Sequence, residues 1–152
     1  MWKRLSATVN PGIRRVGLIL DTSVLVAAER RGHDVPQILE QIRTAHGEIE
    51  VGLSVVTIAE LMHGAYRAKT VADRLRRLAF LEELCGDVPI HPINVEIARG
   101  IGRIEGQQAA QGISLSFEDL AIGVTALELG FDVATVNRRH FQMIPGLNIV
   151  SL

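Results

Sequence analysis

Two alternating hydrophobic rhythms constrain the fold of this chain more than any other feature. Short runs rich in Val, Ile and Leu occur at 16–20 ("VGLIL"), 49–54 ("IEVGLS"), 88–93 ("VPIHPI"), 132–136 ("DVATV") and 148–152 ("NIVSL"). Runs of this length, bounded by Gly, Pro or polar residues, read as buried strands. Between them, residues 22–31, 37–46, 57–68, 71–85, 95–111 and 116–130 carry helical patterns, several closed by a glycine such as Gly32, Gly47, Gly86 or Gly130. Strand–helix alternation implies a three-layer α/β/α fold around a mostly parallel sheet, because parallel strands need crossovers and those crossovers cover both faces. No repeat, low-complexity tract or linker interrupts residues 16–152, which are expected to form one domain. Residues 1–15 ("MWKRLSATVNPGIRR") are basic, polar and Gly/Pro-containing, and are expected to be a poorly ordered extension ahead of it.

Composition narrows the function classes. The 152 residues are 47% hydrophobic and 22% charged, an ordinary globular balance that argues against disorder. No apolar run approaches the roughly 18 residues of a membrane span, and no apolar segment of signal-peptide length follows the basic N-terminus. Cys85 has no second cysteine to pair with, which fits a reducing cytosol and a cytoplasmic protein. It closes an apolar helical pattern just before Gly86, as a packed thiol would. Only six residues are aromatic, which disfavours modules that grip bases on rows of rings. The net charge of −1 says little, but Lys3 and Lys69 are the only lysines among 16 basic residues. The arginines cluster at Arg30–Arg31, Arg74/Arg76/Arg77, Arg99/Arg103 and Arg138–Arg139. Solvated helix faces explain any one pair, while planar guanidinium groups also suit phosphate recognition.

In open α/β sheets ligands bind beyond the carboxyl ends of the strands, so acids just after strands stand out. Asp21 follows the first strand directly, Glu60 lies early in the helix after the second, and Asp119 lies in the first turn of a later helix. Three carboxylates converging there would repel one another unless a cation held them, and hard oxygen ligands suit Mg²⁺ or Mn²⁺. Each acid also has a structural reading. Asp21 can cap the helix beginning near Thr22, Thr57-x-x-Glu60 has the form of a capping box, and Ser116-x-x-Asp119 is close to one. Spacing alone leaves both readings open. Rival acidic sites fit poorly: a haloacid-dehalogenase-type site needs a second Asp where Ser23 stands, and a receiver domain needs a lysine that "NRRH" lacks. Neither a G-x-x-x-x-G-K-[ST] phosphate loop nor a G-x-G-x-x-G fingerprint is present.

Four segments taken in order are more specific: "LILDTSVLVAA", "AELMHGA", "EDLAIGVTALELG" and "VATVNRRHFQMIPGL". Together they resemble the PIN-domain ribonucleases, most closely the VapC toxins of type II toxin–antitoxin pairs, over nearly the whole chain from about residue 16. The resemblance implies metal-dependent hydrolysis of RNA phosphodiesters, leaving 5′-phosphate and 3′-hydroxyl ends. It implies Asp21, Glu60 and Asp119 as catalytic metal ligands for Mg²⁺, with Mn²⁺ substituting. Thr22 and Ser23 would orient Asp21 or contact phosphate, and helix capping accounts for them equally well. The late segment supplies Thr135, Asn137, His140 and Phe141, with Asn137 and His140 in supporting roles. Many relatives carry a fourth carboxylate there and this sequence does not, which leaves one-metal and two-metal loading open. Arg30, Arg31, Arg138 and Arg139 are candidates for RNA-backbone contacts. A VapB-type antitoxin and homodimerisation are implied partners, with "LMHGAY" and "RLAFLEELC" as candidate contact segments. Two alternatives are a PIN-like binding module without catalysis and a small-molecule phosphohydrolase.

Overall fold

The structure, a computed structural model, describes residues 17–152; the extension expected over 1–15 lies outside them. Strand β1 (Gly17–Leu20) leads into α1 (Thr22–Arg30) and α2 (Val35–His46), then β2 (Glu50–Ser54), α3 (Val55–Tyr66) and α4 (Val71–Asp87). β3 (Ile90–His91), α5 (Val95–Ala109), α6 (Phe117–Leu129), β4 (Asp132–Ala134), the short α7 (Arg138–Phe141) and β5 (Ile149–Val150) complete the chain. The sheet order is β3-β2-β1-β4-β5 and every pairing is parallel. The chain runs outward from β1 through β2 to β3 and then returns to the other side of β1 as β4. β1 and β4 therefore flank the point where the winding reverses, the place where such sheets open a crevice for ligands.

The pleat of β1 sorts its side chains into two cores. Leu18 and Leu20 join Val24, Leu25, Ile38, Ile42 and Leu84 under α1, α2 and α4. Ile19 faces the other way, toward Ile97, Ile101, Ile104 and Leu120 of α5 and α6. Side chains of a strand alternate in this way, and a run buried on both faces has no polar alternation to show in sequence. The second core also holds Phe141 and Ile144, which follow β4. Gly123 makes their approach possible, since a Cβ there would lie 2.4 Å from Ile144 Cδ1. A glycine in mid-helix, costly by propensity, thus seats the segment after β4 on α6.

The strands and most helices match the expected rhythm, with local differences at helix ends. α2 starts at Val35 because Asp34 and Gln37 form a reciprocal capping box that takes Pro36 into the first turn. α4 continues through Gly86 to Asp87, so that glycine is no stop. α7 arises in "RRHF", a stretch too short for periodicity to reveal. Cys85 is exposed rather than packed. Partial desolvation and the nearby Glu82 push its thiol pKa up, the opposite of what a nucleophile needs. Among the described residues no helix is long and apolar enough to cross a membrane.

Candidate active site

Asp21 occupies the N-cap position of α1, yet its side chain makes no capping bond. Its backbone N–H instead donates to Ala134 O (2.9 Å), which docks the end of β1 against the end of β4. The carboxylate is 4% exposed, and Oδ2 accepts hydrogen bonds from Ser23 Oγ (2.6 Å) and Thr135 Oγ1 (2.8 Å). Thr135, immediately beyond β4 and itself buried, also accepts from the Asn137 N–H (2.8 Å). Hydroxyls from both sides of the switch point therefore hold one carboxylate. Donors are what a buried carboxylate requires, and they aim it.

Glu60 sits half-buried in the second turn of α3. The capping box expected of Thr57 and Glu60 does not form, because Ser54 caps this helix and Thr57 lies within its first turn. Thr57 is fully buried, and Glu60 Oε1 instead accepts from Thr22 Oγ1 at 2.8 Å. Burial raises the Glu60 pKa above the usual glutamate value, and the charges of Asp21, Glu118 and Asp119 add to the rise against the Thr22 bond. Asp119 is placed by a realised cap: Ser116 Oγ accepts from the Asp119 N–H (3.1 Å). Its carboxylate is free for other work, and Oδ2 lies 3.0 Å from His140 Nδ1.

Three acids from three elements thus share one electrostatic neighbourhood at the carboxyl edge of the sheet. Among the described residues no Arg or Lys is ion-paired with any of them; His140 is the only basic partner. An all-carboxylate oxygen set in a region of surplus negative charge is the donor chemistry of a hard divalent cation. As the side chains stand, no three His, Cys, Asp or Glu groups among the described residues are close enough to hold one ion. Glu60 Oε1 is engaged by Thr22, and Asp119 Oδ2 lies against His140.

Comparison with known proteins decides the family. The sequence description of the PIN domain matches residues 18–147. The chain belongs to the PIN-domain family. It is 28% identical over 137 residues to "Ribonuclease VapC1" of Rickettsia felis, spanning 90% of this chain and 97% of that one. It is 33% identical over 117 residues to "Ribonuclease VapC5" of Mycobacterium tuberculosis, spanning 77% and 80%. Among solved structures it is similar to a member of the VapBC family of toxin–antitoxin systems, VapBC-5 of Mycobacterium tuberculosis. There the TM-score is 0.68 at 28% identity, covering 90% of this chain and 98% of that one. The α/β/α fold with an all-parallel sheet is that of the PIN-domain family.

Within this PIN domain the remaining candidates separate. Ser23 serves Asp21, while Thr22 serves Glu60. Asn137 caps nothing through its side chain; its backbone binds Thr135. Arg138 and Arg139 lie in α7 beside His140 and are exposed, with Arg138 bonded to Ser151 Oγ (2.9 Å). Arg30 and Arg31 sit at the far end of the nine-residue α1, about 13 Å along its axis from Asp21. Three residues of this site stand out only in the fold: Thr57 beside Thr22, Thr135 on Asp21, and Glu118, whose charge reaches Glu60. Only the Thr135 position carried a signal, through its place just beyond a strand at the switch point. The roughly 530 Å³ cavity lined by Ile42, Ile49, Val88 and Phe131 opens at the start of β2, the opposite edge of the sheet from the acids.

Proposed function

We propose that this chain is an Mg²⁺-dependent endoribonuclease and the toxin of a VapBC-type toxin–antitoxin pair. The carrying observation is the gathering of Asp21, Glu60 and Asp119 from three elements at the β1/β4 switch point, with no Arg or Lys partner among the described residues. Relatives named as VapC ribonucleases over most of the chain support the same reading.

Asp21, Asp119 and Glu60 would hold the cation, with Mn²⁺ substituting for Mg²⁺. When bound, it would supply charge neutralisation at the phosphodiester and lower the pKa of a water nucleophile. Ser23 and Thr135 keep Asp21 in one orientation, so that little reorganisation accompanies binding. His140 orients Asp119. Asn137 borders the same corner, and Arg138 and Arg139 offer guanidinium groups to the RNA backbone. A VapB-type antitoxin silences the enzyme in the cytoplasm by covering this site with a basic side chain among the acids. Exposed Met62 and Tyr66 of α3, with Val71 and Leu75 of α4, extend the partner surface for antitoxin and homodimer.

The test is Asp21→Asn and, separately, Asp119→Asn in the full chain. Each is expected to abolish growth arrest and to lower Mg²⁺-dependent cleavage of RNA on the order of a hundredfold or more. Persistence of both activities overturns the reading.

A further inference from the structure

Thr22 carries a hydroxyl with one proton and two acceptors. Its Oγ1 lies 2.8 Å from Glu60 Oε1 and 3.1 Å from Thr57 Oγ1, and it is the donor toward both. One proton serves one strong bond, and the carboxylate is the stronger and nearer acceptor. The Thr57 oxygen is thus a second, weaker acceptor held in reserve. Thr57 is 0% exposed and Thr22 is 8% exposed, so water offers the hydroxyl little alternative.

This arrangement bears on how the acids come together. Glu60 is engaged by Thr22, and no three acidic or imidazole groups are close enough to share an ion as they stand. If Glu60 turns its Oε1 toward a cation, the Thr22 hydroxyl loses that acceptor. Stranding a buried hydroxyl donor is costly, and a prepared acceptor removes most of that cost. We propose that Thr57 is a positioning residue of the metal site: its hydroxyl oxygen accepts the hydrogen bond of the Thr22 O–H when Glu60 turns to the cation. This rests on the metal-dependent reading above and adds to it a residue that touches neither cation nor RNA.

The test measures Mn²⁺ binding to the full chain by electron paramagnetic resonance, without substrate. Thr57→Val keeps the shape and removes the acceptor, and should weaken Mn²⁺ affinity about five- to tenfold, the range expected for one unmade buried hydrogen bond. Thr57→Ser, which restores the oxygen, should bind as the parent does. In a Thr22→Val background there is no hydrogen bond to accept, and Thr57→Val should change nothing further, a pattern that a general packing defect would not produce. Equal Mn²⁺ affinity in the parent and Thr57→Val overturns the proposal, as does an undiminished Thr57→Val effect in the Thr22→Val background. Should Thr57→Val fail to fold, Thr57→Ala against Thr57→Ser decides in its place: weaker binding by the alanine variant alone supports the proposal, and equal binding overturns it. A parent chain that binds no more Mn²⁺ than Asp21→Asn overturns the metal reading itself, and the role of Thr57 falls with it.

Discussion

The two ends of the acidic site are built on different principles. At the Asp21 end a nearly buried carboxylate receives two hydroxyl donors, one from α1 and one from beyond β4, and the backbone of Asp21 is pinned to β4 as well. At the Asp119 end a carboxylate 18% exposed has, among the described residues, one partner, an imidazole that is itself 55% exposed. The first end is preorganised by groups that cannot leave without stranding a charge in a dry site. The second is held by a contact that solvent can replace at little cost. Glu60 lies between these extremes, half-buried and held by a hydroxyl that has somewhere else to go. A site built this way fixes one carboxylate in advance and leaves the other two less tightly held.

This contrast can be broken most easily through stability. Thr135→Val removes a donor from the buried carboxylate, and urea unfolding should show a loss of about 1–3 kcal/mol. A loss no greater than that of His140→Ala would erase the difference between the two ends. Glu60, between the two ends, should respond to pH. Its folded-state pKa is raised, so between the ordinary glutamate value and that raised value the folded chain holds a proton that the unfolded chain has released. The metal-free chain should therefore lose stability as pH rises through that window and level off above it. Glu60→Gln should flatten this dependence and melt higher than the parent at neutral pH, by less than Thr135→Val costs. His140→Ala should shift stability by under about 0.5 kcal/mol, as expected for an exposed contact. The smallest effect separates the arginines. Arg139→Ala should weaken RNA binding a few-fold and reduce its salt dependence, whereas Arg30→Ala, at the far end of α1, should leave both unchanged.

The framework of this molecule was legible where local pattern decides it. "VGLIL" followed by Asp21 places a carboxylate at the end of a buried strand, and strand–helix alternation makes that end a sheet edge. Glu60 and Asp119 were legible for the same reason, as acids a short way past strands or caps. Partnerships across long separations were not. Thr22 meets Glu60 38 residues away, and Thr135 meets Asp21 at a separation of 114. Those contacts depend on strand order, and a β-αα-β pattern fits more than one order. Thr57 misled because Thr-x-x-Glu has the same form in a first turn and at a cap. Ser54, three residues earlier, took the capping role instead. The reason for Gly123 was equally hidden, since Ile144 reaches it only through the short α7, whose four residues carry no period.

The most direct test of the central claim is cleavage of end-labelled RNA by the intact chain, in Mg²⁺ and in EDTA, with analysis of the new ends. Cleavage is expected in Mg²⁺ alone, with 5′-phosphate and 3′-hydroxyl products. Cleavage that persists in EDTA, or products ending in 2′,3′-cyclic phosphate, would contradict the claim.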